Sequence, residues 1–499
     1  MSKRKDWSQS LWGQQAKLSL LFAAAIVLIF TLLGAKDIWT QEHRWVDIVA
    51  NMFYRQDFWH PYLGNTNYYD KPLLSYWLIA FFVKVTGQLS AFSARLPSAI
   101  AGLLSIAGCY QLGRNLSSRK LGLASAWLLL TTFYFLFWAR TSSADMLNVA
   151  GCLWAVSWYI SHRQQTTFAS YSVFFLLLAI TSLCKGLIGA VIPLLAVGVD
   201  VLINNSWRKH INLRLLMALV PALIIYLAPF VISQLLNGGQ YQENGLYLVY
   251  RENILRFFQP FDHQGSVWTY FVYLPVYTLP WCFLLVPALL TLPSRFKRMQ
   301  PNARWIVFYL ITLFIFFTLS GSRRSYYILP VVPFAILFIA DWLIYSKLMW
   351  QRLIAIFVVI NYLLLLVIVD VLPGWYYHNY GINAFAKQVT KISHKMTNKQ
   401  FLLVDADSKL VFYLKLAPST EIISLAKDQI VSKQTLLAYW PALKHLPKHT
   451  IILSRAIYRQ QLTQLFPAYR LVQLATPPFA KYIAEPQQAP IALIPPETH

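Results

Sequence analysis

Lys71, Lys185, Arg251, Arg256 and the Arg323-Arg324 pair are the residues that raise a chemical question in this sequence. Each lies in a short polar segment between long apolar runs. Lys and Arg are the usual donors to phosphate oxygens, Arg through its planar fork and Lys as a point charge. The plainer reading is local ion pairing, such as Lys71 with Asp70 or Arg251 with Glu252. These bases outnumber the acids near them, so a phosphate or pyrophosphate at a membrane surface would satisfy several together. Two acids need a separate reading. Glu42 follows the first apolar run and Asp145 begins the fourth. Each either caps a helix, pairs with a nearby Arg (Arg44 or Arg140), or acts as a general base on an acceptor whose leaving group is a phosphate. His263 reads as an interfacial histidine, and Trp45, Trp59, Trp77, Trp268 and Trp281 as an aromatic membrane belt.

The elements that must hold these residues are membrane spans. The chain has 499 residues, 57% hydrophobic and only 12% charged, with a mean hydropathy of +0.47. Soluble domains carry about 25% charged residues, so this is an integral membrane protein. The formal net charge of +24 would suggest nucleic acid in a soluble chain. Here most of the excess sits in loops between apolar runs, where the positive-inside rule places it, and no nucleic-acid partner is expected. Cys109, Cys152, Cys184 and Cys282 all fall in apolar runs, which argues against disulfides and thiolate metal sites. Neither a Walker A loop, nor G-x-G-x-x-G before a helix, nor H-E-x-x-H is present, so nucleotide hydrolysis and zincin chemistry lack support.

Apolar runs of spanning length lie at 18–35, 91–112, 121–139, 145–161, 168–184, 186–204, 212–236, 266–292, 304–320, 325–345 and 350–371, about eleven in all. The basic N-terminus is expected to be cytoplasmic, and every second loop from residue 113 onward is basic. That parity makes the shorter stretch at 73–86 a juxtamembrane or re-entrant segment. The first run is longer than a signal-peptide core, and the chemistry follows it, so it reads as an uncleaved span. The expected organisation is a transmembrane domain over 1–372, with outside loops at 36–90 and 237–265. A domain over 373–499 follows, periplasmic by the same parity. In the latter, β-type runs at 401–404, 421–423, 450–453 and 469–472 alternate with helical stretches, which predicts a small α/β fold with a largely parallel sheet. The last residues, rich in Pro and Gln, read as a tail.

Tyr69-Asp70-Lys71-Pro72-Leu73-Leu74-Ser75-Tyr76-Trp77-Leu78 resembles the Y-[FY]-[DE]-K-P-P-L-x-Y-W stretch of bacterial membrane glycosyltransferases related to protein O-mannosyltransferase, including the lipid A aminoarabinose transferases. Further resemblances follow in order. Gln41-Glu42-His43-Arg44-Trp45 is similar to the family's D-E-x-R-Y, Ala94-Arg95-Leu96-Pro97-Ser98 to A-R-L-P-S, and Lys185-Gly186 to K-G. Glu252-Asn253-Ile254-Leu255-Arg256-Phe257 is similar to E-N-x-x-R-F, and Tyr327-Ile328-Leu329-Pro330 to Y-I-L-P. The departures are Gln41 for an Asp, Leu73 for the second Pro, and an Arg for the Lys near Y-I-L-P.

The resemblance implies a mostly α, polytopic GT-C fold of about 11–13 transmembrane helices, with the small C-terminal α/β domain beside it. It implies an inner-membrane enzyme that takes a sugar from a polyprenyl-phosphate donor on the outer face. Its partners are then membrane lipids, that donor, and lipid A or another glycan or protein acceptor. It implies that Lys71, Arg256 and Tyr327 hold the donor phosphate, with Arg323 or Arg324 at the family's basic position, and that Glu42 and Asp145 line the catalytic cavity. Arg44, Lys185 and Tyr69 join the substrate-binding set through their motifs. In the aminoarabinose branch the residues matching Asp70 and His263 lie near a divalent metal. Three rivals remain. Protein O-glycosylation differs in acceptor. A lipid-linked sugar transporter would show polar residues at mid-membrane and repeat symmetry, and no internal repeat is evident. A non-catalytic assembly subunit would tolerate joint loss of Glu42, Lys71 and Asp145.

Overall fold

The computed structural model describes residues 11–236, 250–259, 265–396, 398–424, 449–474 and 488–496, with side chains from residue 15. The chain divides into two compact units. The first comprises Met1–Leu33, Phe58–Pro61 and Tyr68–Asp370; the second comprises Gly34–Asp57, Tyr62–Asn67 and Val371–His499.

The first unit is helical. Six helices among the described residues are long and apolar enough to cross a membrane, or eight if two sharply bent pairs each count as one span. Arg119–Leu130 and Phe133–Ala139 meet at 72°, and Thr269–Tyr277 and Cys282–Leu290 at 110°. The sequence reading took each as one straight run. Thr131 and Thr132 turn their hydroxyls onto the carbonyls of Trp127 and Leu128 at the first bend, and Pro280 lacks a donor at the second. Two further expected spans are shorter apolar helices, Gln15–Phe30 and Ile188–Asn204. Asp145–His162 is an 18-residue helix outside the strongly apolar set. Leu74–Thr86, with 13 residues, rises only about 20 Å, short of the roughly 30 Å of a hydrocarbon core.

Small residues bring these helices together. A Cβ on Gly102 would meet Ala139 Cβ at 2.7 Å, and one on Gly151 would meet Thr181 Oγ1 at 2.0 Å. This is how helices pack where lipid offers no hydrophobic drive to associate. In Ser325–Tyr345, 89% of the apolar window is buried, against 22% in Leu213–Leu236. The former is therefore a central helix, while the latter presents its side chains outward, as a lipid-facing helix does. The protein is a multi-pass membrane protein.

The second unit holds all the described strands. A short antiparallel hairpin pairs β1 (Tyr62–Leu63) with β2 (Thr66–Asn67). Then come β3 (Gln400–Val404), β4 (Ile422–Ile423), β5 (Thr450–Arg455), β6 (Arg470–Gln473) and β7 (Pro490–Ile494), in the sheet order β4-β3-β5-β7-β6. β3 runs parallel to β4 and β5, but β7 is antiparallel to both β5 and β6. The sheet is thus mixed, not largely parallel, and the supposed tail contributes a fully buried strand. Flanking Pro and Gln hid a five-residue apolar run. The strands alternate faces as the pleat demands. Ile451, Leu453, Ala492 and Ile494 pack with Phe385 and Val389, whereas Ile452, Ile491 and Leu493 pack with Leu462.

Half of the loop after the first span belongs to this second unit. Asp37 accepts from the backbone N–H of Ile382 at 2.5 Å, Ile38 N–H donates to Tyr413 Oη at 2.7 Å, and His43 Nε2 bonds to Ser408 O at 3.2 Å. Burial raises the Asp37 carboxyl above its ordinary value against the opposing pull of those backbone donors.

Candidate functional site

The site in the first unit starts from a kink. Gly186 ends the helix Phe168–Lys185 at φ +110, a conformation that favours glycine, and a Cβ there would lie 2.6 Å from Asn253 Oδ1. That close approach lets the Asn253 amide oxygen accept from Leu187 N–H at 2.7 Å. It ties the Lys185-Gly186 turn to the segment Arg251–Phe258, in which one π-type turn (Arg251–Leu255) leads into Arg256–Phe258. The same segment is fixed to the loop before Ser325, because Gly321 N–H donates to Phe257 O at 2.9 Å.

These constraints surround a cavity of about 250 Å³. Lys71, Lys185, Glu252, Asn253, Arg256 and Tyr327 line it, together with the apolar Ile188, Val191, Phe257, Phe316 and Phe317. A smaller pocket of about 40 Å³, which shares Lys71, Lys185, Glu252 and Asn253, adds Tyr69 and Asp70.

The electrostatics are a relay of pairs. Lys185 Nζ lies 2.5 Å from Asp145 Oδ1, with side chains 11% and 9% exposed, and 5.6 Å from the Tyr327 ring centre. Arg256 meets Glu252 at 2.5 Å across one helical turn and reaches Tyr327 Oη at 3.5 Å. Arg251 also binds Glu252, at 3.1 Å, and its Nη2 lies 3.9 Å from Asp70. Lys71 donates to the backbone oxygen of Asp70 at 2.9 Å, while the Asp70 carboxylate accepts from Tyr68 Oη. The pairing of Arg251 with Glu252 holds as the plainer reading has it. Asp145, however, pairs with Lys185 and not with Arg140. Arg140 instead binds Asp370 at 2.7 Å and the carbonyls of Leu28, Ile29 and Thr31.

Lys71, Lys185, Arg256 and Tyr327 therefore share one cavity, with Asp145 behind Lys185 and Tyr69 and Asp70 at its annex. The two other expected phosphate ligands make bonds outside its lining, although Arg324 is close enough to Tyr327 for its charge to act on that hydroxyl. Arg323 donates to the carbonyls of Thr318 (2.9 Å) and Gly265 (2.6 Å), and Arg324 to Tyr326 Oη at 3.1 Å; neither lines the cavity. Glu42 and Arg44 belong to the second unit. Glu42 is buried, sits in the first turn of Thr40–Arg55 and accepts from Trp39 N–H at 2.9 Å, the reach-back of a helix-capping glutamate. Arg44 lies 5.8 Å from the Trp45 ring. His263 lies outside the described residues. Among the described residues no three His, Cys, Asp or Glu side chains come together as a metal would need.

The residue the sequence reading passed over is Glu252. The sequence pairs it with Arg251 and sets it in a motif with Arg256 without giving it a role at the site, and in the structure it holds both arginines together at the cavity wall. Its spacing of four from Arg256, within the Glu252-Asn253-Ile254-Leu255-Arg256 motif, is the signal that marks it.

The first unit is thus a bundle of apolar helices with a cavity that both cationic and apolar side chains line. The family model described as dolichyl-phosphate-mannose-protein mannosyltransferase matches residues 70–233. The undecaprenyl phosphate-alpha-4-amino-4-deoxy-L-arabinose arabinosyl transferase of Pseudomonas paraeruginosa is 27% identical over 348 residues, 68% of this chain and 59% of that protein. Its counterpart from Shewanella sediminis is 25% identical, over 64% of this chain and 59% of its own length. The chain thus spans about three fifths of the length of these relatives. Among solved structures, ArnT from Cupriavidus metallidurans bound to undecaprenyl phosphate superimposes with a TM-score of 0.69 at 18% identity, covering 96% of this chain and 98% of that one. The oligosaccharyltransferase AglB from Archaeoglobus fulgidus does so at 0.51 and 13%, covering 92% and 71%. These likenesses give the chain the GT-C fold, and its similarity in sequence is to aminoarabinose transferases and to part of the protein O-mannosyltransferase family model.

Proposed function

We propose that this protein transfers a sugar from a polyprenyl-phosphate donor to an envelope acceptor, lipid A first among them, on the periplasmic face of the inner membrane. The observation that carries the reading is the mixed lining of the cavity: Lys71, Lys185, Arg256 and Tyr327 line it together with Phe257, Phe316, Phe317 and Val191, which suits a phosphate head on an isoprenoid chain. In this reading the N-terminus is cytoplasmic and the second unit periplasmic.

The reaction is a single displacement. An acceptor oxygen forms a bond to the anomeric carbon as the bond from that carbon to the phosphate oxygen breaks, and the electron pair leaves with polyprenyl phosphate. The departing phosphate gains charge, and Lys185, Lys71 and Arg256 are fixed donors for that charge. Glu252 holds the Arg256 fork in place. Within the first unit the carboxylate placed to orient or deprotonate the acceptor is Asp145, beside Lys185. A phosphate acceptor on lipid A needs little deprotonation, whereas a hydroxyl on a protein or sugar needs a base.

The test is mass spectrometry of lipid A from matched cells that carry the wild-type gene, lack it, or express Lys71→Ala. A sugar-sized mass lost in both the deletion and Lys71→Ala supports the proposal and classes the sugar. Unchanged lipid A with the protein expressed removes lipid A as acceptor and shifts the reading to protein or other glycan acceptors, as in the O-mannosyltransferase branch.

A further inference from the structure

A second polar cavity sits at the other end of the same two helices. The helix Pro301–Leu319 contributes Phe316 and Phe317 to the cavity described above and Ala303 to this one. The segment Ser325–Tyr345 contributes Tyr327 to the former and Asp341 and Tyr345 to the latter. Ala303 and Phe316 are separated by about 20 Å along the helix at roughly 1.5 Å per residue, so the two cavities open toward opposite membrane faces.

This cavity, of about 340 Å³, is lined by Ser294, Arg295, Arg298, Gln300, Asp341 and Tyr345 among others. Asp341 is 2% exposed, and neither of its carboxylate oxygens accepts a hydrogen bond. Its charged neighbour is Arg295, 3.5 Å away. Arg295 in turn keeps Nε and Nη2 buried without an acceptor. Buried charged groups with unused donors and acceptors are costly unless a ligand completes them. Two guanidinium groups offer a phosphate site, and the carboxylate asks for a donor of opposite charge. Tyr345 in its lining is exposed, and so are Leu289 and Leu290 in the helix that precedes Arg295 in the chain and Leu348 just after Tyr345, as suits acyl chains more than a freely diffusing ion.

We propose that the Arg295–Arg298–Asp341 cavity binds the headgroup of a phosphoethanolamine-type phospholipid, its phosphate on the two arginines and its ammonium on Asp341. The site is independent of the sugar-transfer reading and lies on the opposite membrane face.

The experiment is native mass spectrometry of the purified full-length protein after exchange into micelles doped with equal phosphatidylethanolamine and phosphatidylglycerol. Wild type retains phosphatidylethanolamine selectively. Arg298→Gln, an exposed position that folding does not need, weakens retention about tenfold, as expected for one lost charge-assisted phosphate contact. Asp341→Asn abolishes the preference over phosphatidylglycerol; Arg295→Lys, which keeps the charge and loses the fork, gives an intermediate loss if the asparagine variant fails to fold. Equal retention of both lipids by wild type, or unchanged retention in Arg298→Gln, overturns the proposal. Stripping of the lipid by millimolar inorganic phosphate overturns the lipid as its source.

Discussion

Replacing Lys185 with Met leaves the Asp145 carboxylate with no cation in contact, in a site where its side chain is 9% exposed. Removing one partner of a buried pair costs about 3–5 kcal/mol, because the remaining charge keeps its desolvation penalty. The Met is close to Lys in volume, so little of the loss comes from packing. Replacing both, as Lys185→Met with Asp145→Asn, removes the stranded charge as well, and the double variant should recover about 2 kcal/mol or more relative to the sum of the singles. Stability is read as the temperature at which the monodisperse peak is lost in fluorescence-detected size exclusion. Transfer follows a different pattern. Both the single and the double variant lose it, because the cavity has lost a phosphate donor. Stability rescued without activity is the signature of a pair whose charges stabilise each other in the fold and also serve transfer. The reasoning fails if Lys185→Met is as stable as wild type, or if the two substitutions add to within about 0.5 kcal/mol.

Other outcomes follow from the geometry. Arg323→Gln strips donors from the carbonyls of Thr318 and Gly265 and should cost about 1–3 kcal/mol of stability. The KM for the lipid donor should stay within a factor of two, measured with the fraction that remains folded. Asp37 has a folded pKa raised by burial above 3.8, so the folded state binds its proton first as pH falls. Stability from this group is therefore gained as pH drops through the folded value and is complete below 3.8. Against Asp37→Asn, wild-type amide protection at Ile382 should rise toward acid pH in hydrogen exchange, and a flat difference between the two proteins would count against a buried ionised Asp37.

Much of the membrane architecture was legible because hydrophobic runs and basic loops are one-dimensional signals. The bends were not. Pro280 sits inside an apolar run whose hydropathy never drops, and hydropathy does not report a missing N–H. Strand β7 was hidden for the opposite reason, since Gln487-Gln488 and Pro490 outweighed the apolar residues after them. Lys71, Lys185, Arg256 and Tyr327 were identified together because each sits in a short motif at a helix end. Arg323 and Arg324 share a motif position and a charge, and neither says which of them a carbonyl takes up, as those of Thr318 and Gly265 take up Arg323. Glu252 shows the reverse error. It was credited with one partner at the next position, while the four-residue spacing that also gives it Arg256 was there to be read. The segment 34–57 is a subtler case. Its polar character fits a loop, but its affiliation depends on contacts with residues more than 300 positions away, such as Ile382 and Tyr413.

The central claim is that the Lys71–Lys185–Arg256–Tyr327 cavity holds a polyprenyl phosphate. Its most direct test is equilibrium binding of undecaprenyl phosphate to the purified full-length protein, wild type against Arg256→Gln, in the same detergent. A lost charge-assisted contact of about 1.5–3 kcal/mol predicts binding weaker by roughly 10- to 150-fold, measured on the monodisperse fraction, in which Arg251 still pairs with Glu252. Equal affinity in the two proteins would contradict the account.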